Sequence, residues 1–556
     1  MKYTEEQERI FQFVQYDSNH GIIDAVAGSG KTTTIIESAT YIGSSKKVLF
    51  CAFNRSIRKE IQNRFARKGF DHIIVKTMHA LGFDILNTNS TSRYKVDDFK
   101  YTPIIDDYVQ KYAEHSLKEL LKLDEIPENP MDKNQKEVLK NYLYQYKYRL
   151  KEICTKYRLT LTPDNFEAFK DMVLHFGIFN HTQQESTQFN LKLKLYWKAN
   201  NYLLDRGNTI AKNLKKIDFA DMLYLPYAWQ LYPQTKFDLL FIDECQDLSN
   251  SQIAVAFKYI KKTGRVLSVG DPYQSIYGFA GADINSYNRL KSLANSRSLK
   301  LSKCFRCPSN VIELAKNFRE DISPFKHKEG DIYNIRFNEV ISKVKPGNLV
   351  ISRVKSPLLE LLFMLLDKSI TVEVHEDDIK EVLNSLRFMF SREELKSTED
   401  LENLLNKVKK RKIYFIEKEA SNIIDNAEKA KIIAYEIHLL NLKLGFIQKQ
   451  MYINLDIDTI DELLKRIKKL ISGGPNAIKL STIHRAKGLE NDVVFIINYD
   501  SLPLYRDNQQ DWERIQERNL KYVALTRAKK TLFLVNSKET ETEEDEGSLF
   551  DELDWL

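Results

Sequence analysis

The chain has 556 residues, of which 43% are hydrophobic and 29% charged, so about three to five globular domains with real cores are expected. The net charge of +7 is a mild basic excess that is compatible with a polyanionic partner without demanding one. Five cysteines argue against a disulfide framework and favour a reducing cytoplasm. No run approaches the roughly 18 apolar residues of a membrane span, so no membrane is expected. Cys304 and Cys307 form a CxxC without a second ligand pair, so no zinc site is predicted.

The first predicted elements alternate between strands and helices. Residues 1–86 contain three short apolar runs, each followed by a helical stretch, and these runs are 21–27, 47–53 and 72–77. Residues 87–216 then change to a Lys-, Tyr- and Leu-rich helical pattern, which predicts an inserted helical subdomain. The α/β pattern resumes with buried runs at 237–243 and 265–271, both ending in an acidic residue. Such alternation predicts a parallel sheet with its active edge at the strand ends.

A second α/β unit is predicted to begin near residue 297. Its further strands are 348–353, 477–484, 492–498 and 530–536, and a highly charged helical stretch, 375–473, interrupts them. The fold class is therefore α/β, with two parallel-sheet domains that each carry a mainly helical insertion.

The loop AVAGSGKTT (25–33) lies between a predicted strand and a predicted helix. Gly28 and Gly30 leave the backbone free to curl around a phosphate group, with loop amides pointing at the anion. Lys31 would neutralise the β/γ-phosphates and the Thr32 hydroxyl would ligate Mg²⁺. The strict pattern begins with glycine, where this chain has Ala25, but the strand–loop–helix context still predicts a nucleotide site.

The sequence FIDECQD (241–247) follows a buried strand. Asp243 is placed to hold Mg²⁺ and Glu244 to orient and deprotonate an attacking water, which together with the phosphate loop suits phosphoryl transfer. An acidic pair after a strand is, alone, weak evidence for a nucleotide-hydrolysing site. Together with a phosphate loop earlier in the sequence, it is strong evidence.

These motifs, together with others along the chain, resemble those of superfamily 1 helicases of the UvrD/Rep/PcrA type. The resemblance rests on nine motifs in family order: YTEEQ, AGSGKT, AFNRSIRKEI, TMHALG, DECQD, VGDPYQSIYGFAGA, LSKCFRCPSN, LSTIHRAKGLE and LKYVALTRA. It implies two RecA-like motor domains, 1A (1–86 and 217–285) and 2A (286–374 and 474–538). The insertions are then 1B (87–216) and a short 2B-like region (375–473).

The resemblance also implies an ATP site that is shared by both motor domains. Gln7 would read the adenine, Gln274 would couple the γ-phosphate to the DNA-facing loop, and Glu490 would hold the ribose. Arg306 and Arg527 would reach the γ-phosphate. The implied catalytic set is Lys31, Asp243, Glu244, Gln274, Arg306 and Arg527, with Mg²⁺ on Thr32 and Asp243. The implied ATP-binding set is Gln7, Ala27, Gly28, Ser29, Gly30, Lys31, Thr32, Thr33, Phe305 and Glu490.

Contacts to a nucleic-acid strand are expected across the tops of both domains, where aromatic faces stack on bases with little sequence preference. The expected set is Phe53, Asn54, Thr77, His79, Tyr277, Phe279, Thr482 and His484. For His79 and His484, a purely structural, hydrogen-bonded role is the alternative.

Three positions depart from the family pattern. Ala280 and Thr33 stand where the family usually has arginine, and Phe305 where it usually has tyrosine. Adenine is therefore expected to be held from one face only. The 2B-like stretch is short for the family and lacks its GIG signature, so its role is left open.

The expected partners are single-stranded and tailed duplex DNA, and the expected function is an ATP- and Mg²⁺-dependent 3′→5′ DNA helicase. The alternatives are a translocase that strips proteins from single strands, an RNA motor and a non-catalytic binding protein. The compartment would be the cytoplasm of a bacterial or phage-infected cell, or the nucleus of a eukaryote.

An acidic tail, 539–556, closes the sequence. Like charges should keep it disordered, whereas Leu549, Phe550, Leu553 and Leu556 recur at helical spacing and suit docking in the groove of a protein partner. Occupation of the chain's own basic DNA track is a further alternative.

Overall fold

The structure, a computed structural model, divides into two compact units at Ser302 and Lys303, and the first unit also takes a short later segment that ends at Gln516. The described residues are 3–70, 72–112, 117–126, 132–179, 187–281, 286–293, 296–391, 394, 401–420, 426–453, 459–474, 476–506 and 509–537. The predicted acidic tail lies outside them. Within these ranges, no helix is both long and apolar enough to cross a membrane.

The first unit begins with alternating helices and strands, as predicted. They are α1 (Glu5–Tyr16), β1 (His20–Ala25), α2 (Lys31–Ser38), β2 (Val48–Ala52), α3 (Arg55–Arg67), β3 (Ile74–Thr77) and α4 (Met78–Thr88). The helical insertion follows with β4 (Lys95–Val96), α5 (Tyr101–Tyr112), α6 (Lys118–Leu123), α7 (Lys133–Thr160), α8 (Phe166–His175), α9 (Thr187–Leu214) and β5 (Lys216–Ile217). The unit then continues with α10 (Phe219–Ala228), β6 (Phe237–Ile242), α11 (Asn250–Lys258), β7 (Ile260–Gly270), α12 (Ser286–Lys291) and β8 (Ser296–Leu301).

The six strands of the first sheet lie in the order β3-β2-β6-β7-β1-β8, and every strand pair in it is parallel. Because β6, β7 and β1 are neighbours, their carboxyl ends open at one edge of the sheet. The loop after β1, the acidic pair after β6 and Asp271 after β7 therefore emerge side by side, as is usual for ligand sites in parallel sheets.

The sheet is buried on both faces because its strands are almost continuously apolar. Ile23, Phe50 and Phe241 pack into the cluster on one face, whereas their sequence neighbours Ile22 and Leu240 pack into the other. Each such side chain contributes about 1.5–3 kcal/mol relative to exposure, so the edge that carries the site rests on a rigid base.

The first insertion has its own core, in which Leu150, Phe169 and Tyr196 are buried together. Its entry and exit are joined by the parallel pairing of β4 with β5. The helices between β4 and β5 therefore pack around a hydrophobic centre of their own.

One predicted boundary is wrong. Ser296–Leu301, expected to open the second α/β unit, pairs along its whole length with β1 in the first sheet. The change of unit comes at Lys303 and not at residue 286. The strand has an apolar-polar pattern that fits either sheet, so the sequence alone did not assign it.

The second unit begins with β9 (Lys303–Cys304), α13 (Ser309–Lys316), β10 (Ser323–Pro324), β11 (Asp331–Arg336), α14 (Val340–Lys343), β12 (Leu349–Ser352), α15 (Ser356–Asp367) and β13 (Val372–Glu373). The second insertion holds α16 (Glu376–Arg387), α17 (Leu401–Glu419), α18 (Asn426–Ile453) and α19 (Ile460–Ile471). The remaining elements are β14 (Ile478–Thr482), β15 (Asn491–Ile497), α20 (Asp511–Leu525) and β16 (Ala528–Asn536). Six of these strands form a second parallel sheet in the order β11-β16-β15-β12-β14-β13, which confirms the predicted fold class.

The second insertion shares its core with the second sheet. Leu405, Ile447 and Ile467 from its helices belong to the same buried cluster as Val350 and Phe495 from the strands. In contrast to the first insertion, these helices are packed as part of the sheet's own hydrophobic layer.

Candidate functional site

The loop between β1 and α2 has the form that a phosphate group requires. Gly28 and Gly30 have φ values of 69° and 76°, in the left-handed region that glycine adopts without steric cost. Gly30 is the N-cap of α2, so the free amides at the start of that helix face the loop. The Ser29 hydroxyl is buried and has no hydrogen-bond partner among the described residues, which leaves a donor for a ligand between Ala27 and Gly30.

Lys31, the first residue of α2, points at the acidic pair. Its Nζ lies 3.4 Å from Glu244 Oε1. Burial lowers the pKa of Lys31, but the carboxylates of Glu244, Asp271 and Asp243 outweigh it, so the net pKa lies above the ordinary value. The lysine is therefore held charged, as a group that binds phosphate must be.

Thr32 and Asp243, the two residues predicted to hold Mg²⁺, are in direct contact. The Thr32 hydroxyl donates to Asp243 Oδ2 at 3.1 Å. Burial and the adjacent Glu244 raise the pKa of Asp243 to about 6, against the opposing effect of Lys31. Both groups are oxygen donors beside a phosphate loop, which fits Mg²⁺, since this ion takes one or two protein oxygens and completes its shell with phosphates and water.

The described ranges contain no group of three or more His, Cys, Asp or Glu side chains that could hold an ion. The CxxC cysteines, Cys304 and Cys307, are buried free thiols.

Glu244 has a strained backbone, and its carboxylate is bound by Gln246, a residue that was not predicted from the sequence. Its backbone has φ 50°, which costs a non-glycine residue about 1–2 kcal/mol and is typical of functional sites. Gln246 Nε2 donates to Glu244 Oε2 at 2.5 Å, and Gln246 Oε1 accepts from the Asp271 amide at 3.1 Å. Gln246 therefore links the acidic pair to the end of β7.

Gln274 lies at the other end of this chain of contacts. Its Nε2 donates to Asp271 Oδ2 at 2.6 Å, and Ser275 Oγ donates to the Gln246 carbonyl at 3.1 Å. Asp271 was also not singled out, although a buried strand that ends in an acidic residue was visible in the sequence. The predicted residues Lys31, Asp243, Glu244 and Gln274 are thus connected within the first unit through Gln246 and Asp271.

Gln7 and Thr33, predicted to face the base, both have protein partners. Gln7 Nε2 donates to Thr34 Oγ1 at 3.0 Å, and its Oε1 accepts from the Thr4 amide at 3.0 Å as part of a capping box. Thr33 Oγ1 accepts from Arg64 Nη2 at 2.9 Å. A guanidinium from α3 therefore reaches the position where the family pattern has an arginine of its own.

In the second unit, three predicted residues meet around Thr526. Arg306 donates from Nε to Glu490 Oε2 at 2.5 Å and from Nη1 to the Thr526 carbonyl at 3.1 Å. Arg527 donates to the carbonyls of Val523 at 2.8 Å and Leu489 at 3.1 Å. Burial raises the pKa of Glu490, but Arg306 outweighs it and leaves a net lowering.

Phe305, next to Arg306, leaves 43% of its surface exposed. Its ring centroid lies 4.4 Å from that of Phe325. An aromatic pair therefore stands beside the arginine–glutamate pair and offers a flat apolar face.

Three of the predicted strand-contacting residues form an aromatic row in the first unit. The rings of Phe53 and Tyr277 are stacked with centroids 5.7 Å apart, and Tyr277 lies 6.2 Å from Phe279. Phe279 is 51% exposed. Phe53 and Tyr277 are half-buried, and an exposed aromatic ring is a surface on which an unpaired base can stack, at about 1–3 kcal/mol for each base.

The predicted polar contacts also have local structural roles. Asn54 Oδ1 accepts from the Ile57 amide at 2.9 Å and Thr77 Oγ1 from the Ala80 amide at 3.3 Å, so both residues cap a helix N-terminus. Thr482 Oγ1 accepts from the Arg485 amide at 3.4 Å. Helix caps of this kind stabilise the folded protein by about 1 kcal/mol, so these residues have a structural role that does not depend on a ligand.

The two predicted histidines are kept neutral. Burial, with Arg55 nearby, lowers the pKa of His79, whose ring packs edge-on against Phe219 at 5.8 Å. Burial, together with Arg353 and Lys487, lowers the pKa of His484 to about 3. Neither ring therefore supplies positive charge for a phosphate near neutral pH.

Comparison with known proteins places these features in one family. Residues 4–295 match the UvrD/REP helicase N-terminal domain, and residues 478–535 match the UvrD-like helicase C-terminal domain. The chain is 24% identical to F-box DNA helicase 1 of Gallus gallus, over 97% of this chain and 49% of that protein. It is also 24% identical to a probable DNA helicase II homolog of Mycoplasma capricolum, over 93% of this chain and 82% of that protein. A 32% identity to the ATP-dependent DNA helicase PcrA of Bacillus subtilis covers 29% of this chain and 22% of that protein. The chain thus spans about half the length of the chicken relative and about four fifths of the mycoplasma relative.

Proposed function

Because the chain belongs to the UvrD/REP helicase family, we propose that it is an ATP- and Mg²⁺-dependent motor that moves 3′→5′ on single-stranded DNA and unwinds duplex ahead of it. The direction rests on the family alone. The relatives are named as DNA helicases, which supports DNA rather than RNA as the track.

The proposal rests on one feature. The segment 271–279 runs from the nucleotide site to the aromatic row formed by Phe53, Tyr277 and Phe279. Asp271 and Gln274 belong to the hydrogen-bond chain that reaches Glu244, and Tyr277 and Phe279 belong to the row. A change of charge at the γ-phosphate can therefore reach the base-stacking side chains through one short segment, which is what a motor needs.

In the proposed mechanism, Lys31 and the loop amides bind the phosphates. Thr32 and Asp243 would hold Mg²⁺, which would supply positive charge against the phosphates. Glu244 accepts the proton of the attacking water. Gln246 keeps the Glu244 carboxylate in place. Arg306 and Arg527 are proposed to stabilise the γ-phosphate, and their charge-assisted bonds are lost on hydrolysis. The loss of those bonds is the step that releases and resets the grip on the strand.

The proposal is tested by ATP turnover with and without single-stranded DNA. Turnover should rise steeply with an oligonucleotide and depend on Mg²⁺. An equal rise with RNA of the same sequence would favour the RNA-motor alternative, and no rise with either strand would refute the proposal.

A translocase that displaces proteins with little unwinding is the second candidate. The second insertion is short and packs into the core of the second sheet, so a separate duplex-gripping domain is not evident in the described residues. Displacement of streptavidin from biotinylated single strands at a rate far above duplex unwinding would favour this candidate.

The nucleotide preference should be broad. Thr33 and Phe305 stand at the positions where the family pattern has arginine and tyrosine. If these positions face the base as proposed, stacking on it is weaker, and other purine triphosphates should be hydrolysed measurably. The kcat/KM values for ATP and GTP provide the measurement. A preference for ATP of about a thousandfold, or roughly 4 kcal/mol, would contradict this expectation.

The acidic tail is proposed either to bind a protein partner or to occupy the chain's own DNA-binding surface. A chain truncated after Lys538 distinguishes the two roles. Loss of a bound protein with unchanged ATP turnover would support docking, whereas raised turnover without DNA and tighter DNA binding would support self-inhibition. If neither property changes, the tail serves only solubility.

A further inference from the structure

The loop Tyr277–Gly281 carries the exposed ring of the aromatic row, and it is held from two sides inside the first unit. One side is the start of α20. The Gly278 amide donates to Gln516 Oε1 at 2.9 Å in a buried position. A Cβ added to Gly278 would lie 2.7 Å from the Trp512 ring, so the indole fills the space that glycine leaves.

Trp512 is itself fixed. Its Nε1 donates to the His175 carbonyl at 2.5 Å, and its ring lies 5.7 Å from the His175 ring at an angle of 30°. The tryptophan therefore joins the loop to the end of α8 in the helical insertion. This leaves it little freedom to move away from Gly278.

The other side is α7, the long helix of the same insertion. Lys156 Nζ donates to the Phe279 carbonyl and lies 4.6 Å from the centroid of the Phe176 ring. Lys156 is buried, with only 6% of its surface exposed. Burial lowers the pKa of Lys156 to about 8, against the opposing effect of Glu152.

A buried lysine is costly unless its amino group is bonded, and here the bond goes to the backbone of the residue that presents the stacking ring. Gln516 and Trp512 bond and pack on the preceding residue. The three side chains therefore fix Gly278 and Phe279, the two consecutive residues that set where the Phe279 ring points.

We propose that Lys156, Trp512 and Gln516 are positioning residues that hold Phe279 for the DNA strand and thereby couple ATP turnover to strand binding. The inference rests on the proposed motor function. None of the three side chains needs to touch nucleotide or DNA. They act through the loop, which begins three residues after Gln274 and moves only as far as these contacts allow.

The experiment compares ATP turnover, with and without oligo-dT, in wild type, Lys156→Met and Gln516→Leu. Methionine keeps the apolar stem of the lysine, and leucine keeps most of the glutamine volume, so each variant removes mainly the bond to the loop. The ratio of DNA-stimulated to DNA-free turnover should fall about tenfold, within the range of coupling between sites, and oligo-dT binding should weaken. The matched control is Lys151→Met, which removes an exposed lysine of the same helix and should leave the ratio unchanged.

Two further arms separate positioning from mere stability. Lys156→Arg retains a donor for the Phe279 carbonyl and should restore most of the ratio. In the double variant Lys156→Met/Gln516→Leu, the loss should be no larger than about the greater single loss, because both changes release one loop and their effects are not additive.

An unchanged ratio in folded Lys156→Met and Gln516→Leu would overturn the inference. So would an equal fall of DNA-free and stimulated turnover without rescue by Lys156→Arg, since that pattern indicates a structural role only. If wild type shows no stimulation by DNA, the proposed function itself fails, and the two failures are thereby distinguished.

Discussion

Glu244→Gln is expected to keep ATP binding and to lower ATP turnover by about 10²–10⁴-fold, the usual effect of losing a general base. Glutamine has nearly the same shape but no basic oxygen to accept a proton from water. The carboxylate also lies 3.4 Å from Lys31 Nζ, so its neutralisation frees positive charge for the phosphates and should not weaken binding. Steady-state turnover in saturating single-stranded DNA, beside binding of a fluorescent ATP analogue, measures both quantities.

Two controls frame this result. Glu313→Gln removes one negative charge from an exposed position, where the carboxylate side chain is 63% accessible, and should change nothing. Lys31→Ala should abolish tight phosphate binding, the opposite signature to Glu244→Gln. Hydrolysis by Glu244→Gln at the wild-type rate would show that the base has been assigned wrongly.

Arg527→Ala is expected to reduce kcat by about 10³–10⁵-fold, the range for an arginine that stabilises a transferring phosphoryl group, with a much smaller effect on ATP affinity. The arginine is proposed to act when the γ-phosphate is being cleaved, so the loss should fall on turnover. Single-turnover hydrolysis and nucleotide binding, measured separately, give the two values.

Arg527 also has a structural role that the experiment must account for. Its guanidinium donates to the carbonyls of Val523 and Leu489, so alanine leaves buried acceptors unpaired and lowers stability by about 1–3 kcal/mol for each. Arg527→Lys keeps the charge, and Arg518→Ala removes an exposed arginine from α20, the helix that ends two residues before Arg527. Equal loss of binding and turnover in folded Arg527→Ala would rule out a role in the chemical step.

The parts of the site that the sequence predicted are those fixed by neighbouring residues. The left-handed turns at Gly28 and Gly30 follow from glycine itself, and the helix that starts at Lys31 follows from the loop. Buried strands such as Phe237–Ile242 were recognised because their apolar runs are unbroken. Local chemistry is enough for these features.

Features that depend on distant partners were wrong or absent. Ser296–Leu301 was assigned to the wrong sheet, since its partner β1 lies 276 residues earlier in the sequence (His20 pairs with Ser296). The strand β11 was not predicted, because it lies at the sheet edge and only Ile335 in it is buried. Neither outcome could be decided from the residues of the strand alone.

The same limit applies to function. The contact of Lys156 with Phe279 spans 123 residues, and that of Gly278 with Gln516 spans 238 residues. A motif search identifies the loop Tyr277–Gly281 but not the distant residues that bind it. Likewise, the sequence does not reveal that Asn54 and Thr77 cap helices, because a cap and a ligand contact use the same side chains.

The central claim, ATP-driven directional movement on single-stranded DNA, is tested most directly with oligonucleotides that carry streptavidin on a 5′ or a 3′ biotin. With ATP and Mg²⁺, the protein should displace streptavidin from the 5′ end much faster than from the 3′ end, and the Glu244→Gln variant should displace it from neither. Displacement that is equal at both ends, or that does not require ATP, would contradict the account.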